Sequence, residues 1–219
     1  MANTIVERAQ FSYFYLNSAK SFAARASDFE ERERSEGGVL DIPLNRTEHE
    51  SLVVSSVLLS VAFLEALINE IFADAGDRVV GELESDETEQ LKRFWDLGVP
   101  KTAKYSVVEK FKLCLAVLRK PELDLGRKHQ QDIKHLINLR NALMHFEPVS
   151  QAINDDACKK KDTLSELKGL FAEHPKPRGK KFFPSKCLSA GCALWAVKVA
   201  GDFADEFCQK LGIHPPYDR

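Results

Sequence analysis

No Cys-x-x-Cys pair occurs among the five cysteines, Cys114, Cys158, Cys187, Cys192 and Cys208. Their number is odd and their spacing irregular, which argues against a disulfide framework or a zinc site and for a reducing cytoplasm. No glycine-rich phosphate loop is present. The lone Gly37-Gly38 pair marks a turn and not a nucleotide motif. No segment alternates apolar and polar residues over a useful length, so strands are not expected, and no internal repeat is visible. The formal net charge is only −2, so any basic surface must be local. The N-terminus carries Glu7, Arg8 and Gln10 before any apolar run, so a signal peptide is not expected. The longest apolar run, Leu52 to Ile68, is interrupted by Ser55, Ser56, Ser60 and Glu65. It falls short of the ~20 residues of a bilayer span and is expected to be a buried core helix, with no membrane association.

Helical periodicity fills the remainder. The pattern predicts an all-α, up-and-down helical bundle with a long N-terminal helix. Residues 1–46 form that helix and a loop packed on the bundle, residues 47–212 the main helical domain, and residues 213–219 a tail. The first helix is expected from Thr4 to about Arg32, packing through Phe11, Phe14/Tyr15, Ser18, Phe22 and Phe29. Thr47 with Glu50 three residues on is a capping-box pattern and predicts a second, central helix from Thr47 to about Ala75, stopped by Gly76. Glu65 and Asn69 lie one turn apart within it. A carboxylate there needs a partner; Arg140 is the natural one, unless Glu65 faces solvent. Short helices are expected over Asp86–Leu97, from the Ser106 cap to Lys120, and over Asp162–Phe171. The last helix should run from about Ser185 to Leu211, with Gly212 as its stop.

Residues 125–148 hold the candidate chemistry. Ile133, Ile137, Arg140 and Met144 share one stripe of an amphipathic helix. An arginine on an apolar stripe needs an anion or several acceptors. Phe146 and Pro148 predict that the helix ends near His145 to Glu147. That places a guanidinium and an imidazole about one turn apart at a helix C-terminus, where the dipole favours an imidazolium. Between Lys159 and Lys186, nine Lys/Arg stand against three Asp/Glu, a local excess of six positive charges. Within it, residues 174–184 have no helical pattern and should form a loop or be disordered. His49 and His214 are expected at the surface, and His129, His135 and His174 show no ligand-like spacing.

The hexapeptide Arg140-Asn141-Ala142-Leu143-Met144-His145 resembles the Arg-x4-His signature of the HEPN domain superfamily. Leu188 to Lys198 with Phe203 to Phe207 resembles the closing helix of a bacterial HEPN-toxin-like group. With Phe63 to Glu70, the resemblance covers roughly residues 47 to 212. It implies a homodimeric, metal-independent endoribonuclease without cofactors, acting as a toxin or as an antiphage or stress effector, with a nucleotidyltransferase-like antitoxin as the partner of a toxin. Arg140, His145 and Asn141 would be catalytic, with Glu65 and Asn69 in support. Lys159, Lys160, Lys161, Arg178, Lys180 and Lys181 would bind RNA. The other reading is a non-catalytic, dimeric HEPN-like interaction or nucleotide- or RNA-binding protein, with Arg140 and Glu65 as a buried structural pair.

Overall fold

A computed structural model of the chain describes residues 10–76, 83–101, 105–123, 128–146 and 164–217. Among the described residues six α-helices carry the fold: α1 Phe11–Glu36, α2 Pro43–Gly76, α3 Ser85–Asp96, α4 Val107–Val117, α5 Lys128–Met144 and α6 Ala190–Leu211. No strand occurs among the described residues, only an isolated bridge between Lys168 and Phe171. Tertiary contacts divide the chain into two compact units. One comprises Met1–Leu16, Ala62–Leu123 and Ala204–Arg219, the other Asn17–Val61 and Asp124–Phe203.

The first unit is built around Phe63, Leu64, Leu67, Ile68 and Phe72 of α2, all fully buried. Leu91 of α3, Phe111 and Leu115 of α4, and Phe207 of α6 complete its core. Phe111 and Phe207 meet edge to face with centroids 4.6 Å apart, the arrangement favoured by the ring quadrupoles. Helix α4 starts as expected: Ser106 Oγ accepts from Glu109 N while Ser106 N donates to the Glu109 carboxylate at 2.7 Å. The helix ends at Val117, before the expected Lys120, where Arg119 takes φ 54°. Glu70 of α2 accepts from both the backbone N–H (2.9 Å) and the hydroxyl of Ser12. Tyr217, expected in a loose tail, is buried against Phe63 at 4.9 Å and donates its hydroxyl to Asp205 at 2.7 Å. Burial and the Asp205 carboxylate push its phenol far up from the ordinary tyrosine range.

The second unit closes on small residues. Ala19, Ala23 and Ala26 of α1 have no exposed surface. Their size lets the chains approach until Ser56 Oγ of α2 donates to the Ala19 carbonyl at 2.9 Å. The expected aromatic stripe is therefore not the buried one in either unit. Phe11 and Phe14 are 50% and 58% exposed, and the inward edge runs Ser12, Leu16, Ala19, Ala23, Ala26, Glu30. Helix α2 begins a turn before Thr47, with Pro43 in the first position, where its missing N–H is harmless. Thr47 does not cap; its hydroxyl donates back to the Pro43 carbonyl at 2.9 Å. Its most apolar stretch, within Pro43–Ala75, has a mean hydropathy of 2.2 and is long enough to cross a membrane, yet 56% of that stretch is buried. Between α5 and α6 the expected helix over Asp162–Phe171 is only a 3-10 turn at Ser165–Leu167, bounded by Leu164 at φ 61° and by extended Lys168; residues 162 and 163 lie outside the described residues. A loop and a π-turn at Phe182–Lys186 lead to α6, which starts at Ala190 and not at Ser185. Ser189 Oγ accepts from Cys192 N at 3.0 Å and donates to the Ala172 carbonyl at 2.6 Å. Gly212 stops α6 at φ 85°, as expected.

Candidate active site at the end of α5

Helix α5 buries Ile133, Leu136 and Leu139 completely. This edge is rotated from the expected Ile133, Ile137, Arg140, Met144 stripe. Ile137 and Arg140 flank the buried edge half-buried, and Met144 is 57% exposed. Asn141 and His145 are exposed. The His145 N–H donates to the Asn141 carbonyl at 2.9 Å, so the helical hydrogen-bond pattern carries through to His145. The helix ends at Met144, one residue before the expected His145 to Glu147.

Phe146, 54% exposed, approaches Phe183 of the loop before α6, with ring centroids 6.2 Å apart. This contact brings the loop to the end of α5. Lys181 sits directly before the Phe182-Phe183 pair, and Arg178, Lys180 and Lys181 are all exposed. Arg140, Asn141, His145 and these three cations therefore belong to one unit. Lys159, Lys160 and Lys161 lie outside the described residues.

Glu65 and Asn69 belong to the other unit. Glu65 pairs there with Lys110 Nζ of α4 at 2.8 Å and not with Arg140. The Lys110 side chain is 10% exposed and has a stem long enough to reach the carboxylate from a neighbouring helix. Asn69 Oδ1 is buried with no hydrogen-bond partner among the described residues. No described carboxylate is ion-paired with Arg140.

A second polar cluster went unread in the sequence because its members are residue types that usually lie at the surface. His49, expected at the surface, is fully buried, as are Glu30, Arg46 and His174 to within a few per cent. Glu30 Oε1 accepts from His49 Nε2 at 3.1 Å and from the Ala190 N–H at 2.7 Å, tying α1, α2 and the start of α6 together. His174 meets His49 edge to face at 5.0 Å. Its Nδ1 accepts from Lys176 N at 3.0 Å, and its Nε2 is buried without a partner. Burial above all, and then the nearby His49 and Arg46 charges, push His174 down to about 4, against the opposing pull of Glu30 and Glu33. Arg46 donates Nε to the Leu40 carbonyl at 2.9 Å and Nη1 to the Lys176 carbonyl at 3.1 Å. Lys176 bridges Glu33 at 3.2 Å and Asp41. The carboxyl of Glu33 is held below its usual range, first by the Leu40 N–H at 2.6 Å. No group of three or more His, Cys, Asp or Glu among the described residues is placed to hold a metal.

No family model, curated protein or solved structure matches this chain.

Proposed function

We propose that the end of α5 is the catalytic half-site of a metal-independent endoribonuclease of the HEPN type. The observation that supports this reading is the Phe146–Phe183 contact, which brings the segment that follows exposed Lys180 and Lys181 to the residue next to His145. RNA contains its own nucleophile. A base removes the 2′-hydroxyl proton, the 2′ oxygen attacks the adjacent phosphorus, and the 5′ oxygen leaves with a proton from an acid. The products are a 2′,3′-cyclic phosphate and a 5′-hydroxyl. An imidazole suits either proton transfer. A guanidinium stays charged and offers a planar fork to the phosphorane oxygens. In this reading His145 moves the proton, Arg140 stabilises charge, and Asn141 orients the imidazole or the phosphate. Arg178, Lys180 and Lys181 grip the backbone without reading sequence, with the Phe146 ring as a stacking face.

One His–Arg pair provides too little for both acid and base, so the active form is a homodimer with two copies of the pair in a shared groove. The same reading places the protein in the cytoplasm, dispenses with cofactors, and allows for a nucleotidyltransferase-like antitoxin partner. The non-catalytic alternative loses the role it gave Arg140, because Glu65 has Lys110 as its partner. Total RNA incubated with the protein and a chelator is expected to be nicked. His145→Ala and Arg140→Ala should each lose about 100-fold or more of the rate, the range for a proton-transfer group or a charge-stabilising donor. Equal nicking by all three proteins contradicts the proposal.

A further inference from the structure

A solvent-open pocket of about 250 Å³ is lined by Leu40, Asp41, Arg46, Lys176, Pro177 and Arg178. It gathers three cations against one carboxylate.

The donors are not equally committed. Arg46 is 4% exposed, and two of its three guanidinium nitrogens are held by the Leu40 and Lys176 carbonyls; Nη1 also has Glu50 at 3.8 Å. Its Nη2 has no partner among the described residues. Arg178 is exposed at the rim, and no described carboxylate pairs with it. Lys176 is held by Glu33 and Asp41, but the Asp41 side chain is 60% exposed and free to swing away. A buried and a rim guanidinium line the same pocket, and each can offer a planar, charge-assisted fork to an oxyanion. The volume is ample for a phosphate group.

We infer that this pocket binds a phosphate group, with Arg46 and Arg178 as donors and Asp41 as the competing anion that an incoming phosphate displaces from Lys176. The site uses neither Arg140 nor His145, and shares only Arg178 with the loop proposed to hold RNA; inorganic phosphate, which is no ribonuclease substrate, therefore tests it separately. The phosphate can come from solution or from the 5′ end of an RNA chain, and the two sources are separable.

The experiment is calorimetric titration of the whole chain with inorganic phosphate, against sodium chloride at matched ionic strength. Saturable binding is expected for the parent protein and for Lys198→Ala, a surface control on α6. Arg178→Ala should weaken it about tenfold, the loss of one charge-assisted contact. Asp41→Asn should tighten it, because the competitor for Lys176 is removed. A purely structural role for these residues predicts no such opposite signs. A second titration compares 5′-phosphorylated with 5′-hydroxyl RNA of one short sequence. Stronger binding of the phosphorylated form identifies a chain end as the source; equal binding alongside saturable inorganic phosphate identifies free phosphate. No phosphate binding beyond that of chloride overturns the inference. So does Arg178→Ala binding like the parent, or Asp41→Asn binding no more tightly.

Discussion

Replacing Glu30 with alanine should be among the most damaging single changes in the second unit. One carboxylate oxygen holds the His49 imidazole at 3.1 Å and the Ala190 N–H at 2.7 Å, and the side chain is 6% exposed. Hydrogen bonds to a charged group contribute roughly 1.5–3 kcal/mol each. Removing one member of a buried pair strands the other, at a cost of about 3–5 kcal/mol. The two figures agree, and we expect Glu30→Ala to lose about 3–5 kcal/mol in denaturant unfolding. At roughly 2–4 °C per kcal/mol for a chain of this size, the melting temperature falls by about 10 °C. Glu30→Gln keeps an oxygen able to accept from both donors and removes the negative charge, and should lose about half as much. The contrast is Arg25→Ala, which removes an ion pair to Glu48 that is shorter, at 2.6 Å, but exposed. Exposed pairs contribute about 0.2–1 kcal/mol, so this variant should be nearly silent. If Glu30→Ala and Arg25→Ala cost the same, burial is not what gives the Glu30 contacts their strength, and the reasoning fails.

Other outcomes follow from the same packing. His174 is held at about 4 in the fold against an ordinary value of 6.5, so the unfolded chain binds the extra proton first as pH falls. Its contribution is therefore full above about pH 6.5 and is lost as pH drops toward 4. The shift is worth at most about 3 kcal/mol, and about 1–2 kcal/mol after solvent screening. A His174→Gln chain, which keeps an acceptor for Lys176 N, should show a flatter stability–pH curve over that window. Ser106→Ala removes a capping hydroxyl at the start of α4 and should cost about 1 kcal/mol, read from the unfolding midpoint. Ala23→Leu should cost about 1–3 kcal/mol by overpacking a fully buried position on α1, whereas Phe14→Leu, at a position 58% exposed, should change stability by under about 0.5 kcal/mol.

The sequence disclosed the features governed by local rules. The all-α class, the Ser106–Glu109 capping box, the glycine stop at Gly212, and the end of α5 before Pro148 all depend on neighbours within a few residues. What stayed hidden depends on distant partners. Alanines define the buried edge of α1 because helices approach closely there, and a search for large apolar residues selects the exposed rings instead. Glu30, Arg46, His49 and His174 are surface types by frequency, and only tertiary contacts show them satisfying one another. Asp162–Phe171 has helical apolar spacing, but Leu164 takes a left-handed and Lys168 an extended conformation that the spacing does not anticipate. For the candidate site, the identities of Arg140, Asn141 and His145 were legible in the motif. The proximity of the basic loop was not, because it rests on a ring contact between residues far apart in the chain.

The most direct test pairs a ribo-oligonucleotide with its 2′-deoxy counterpart, in chelator, with product ends identified by mass spectrometry. The proposed chemistry predicts cleavage of the RNA alone, leaving 2′,3′-cyclic phosphate and 5′-hydroxyl ends, and no cleavage by His145→Ala. Cleavage of the deoxy strand, or cleavage that appears only when magnesium is restored, would contradict it.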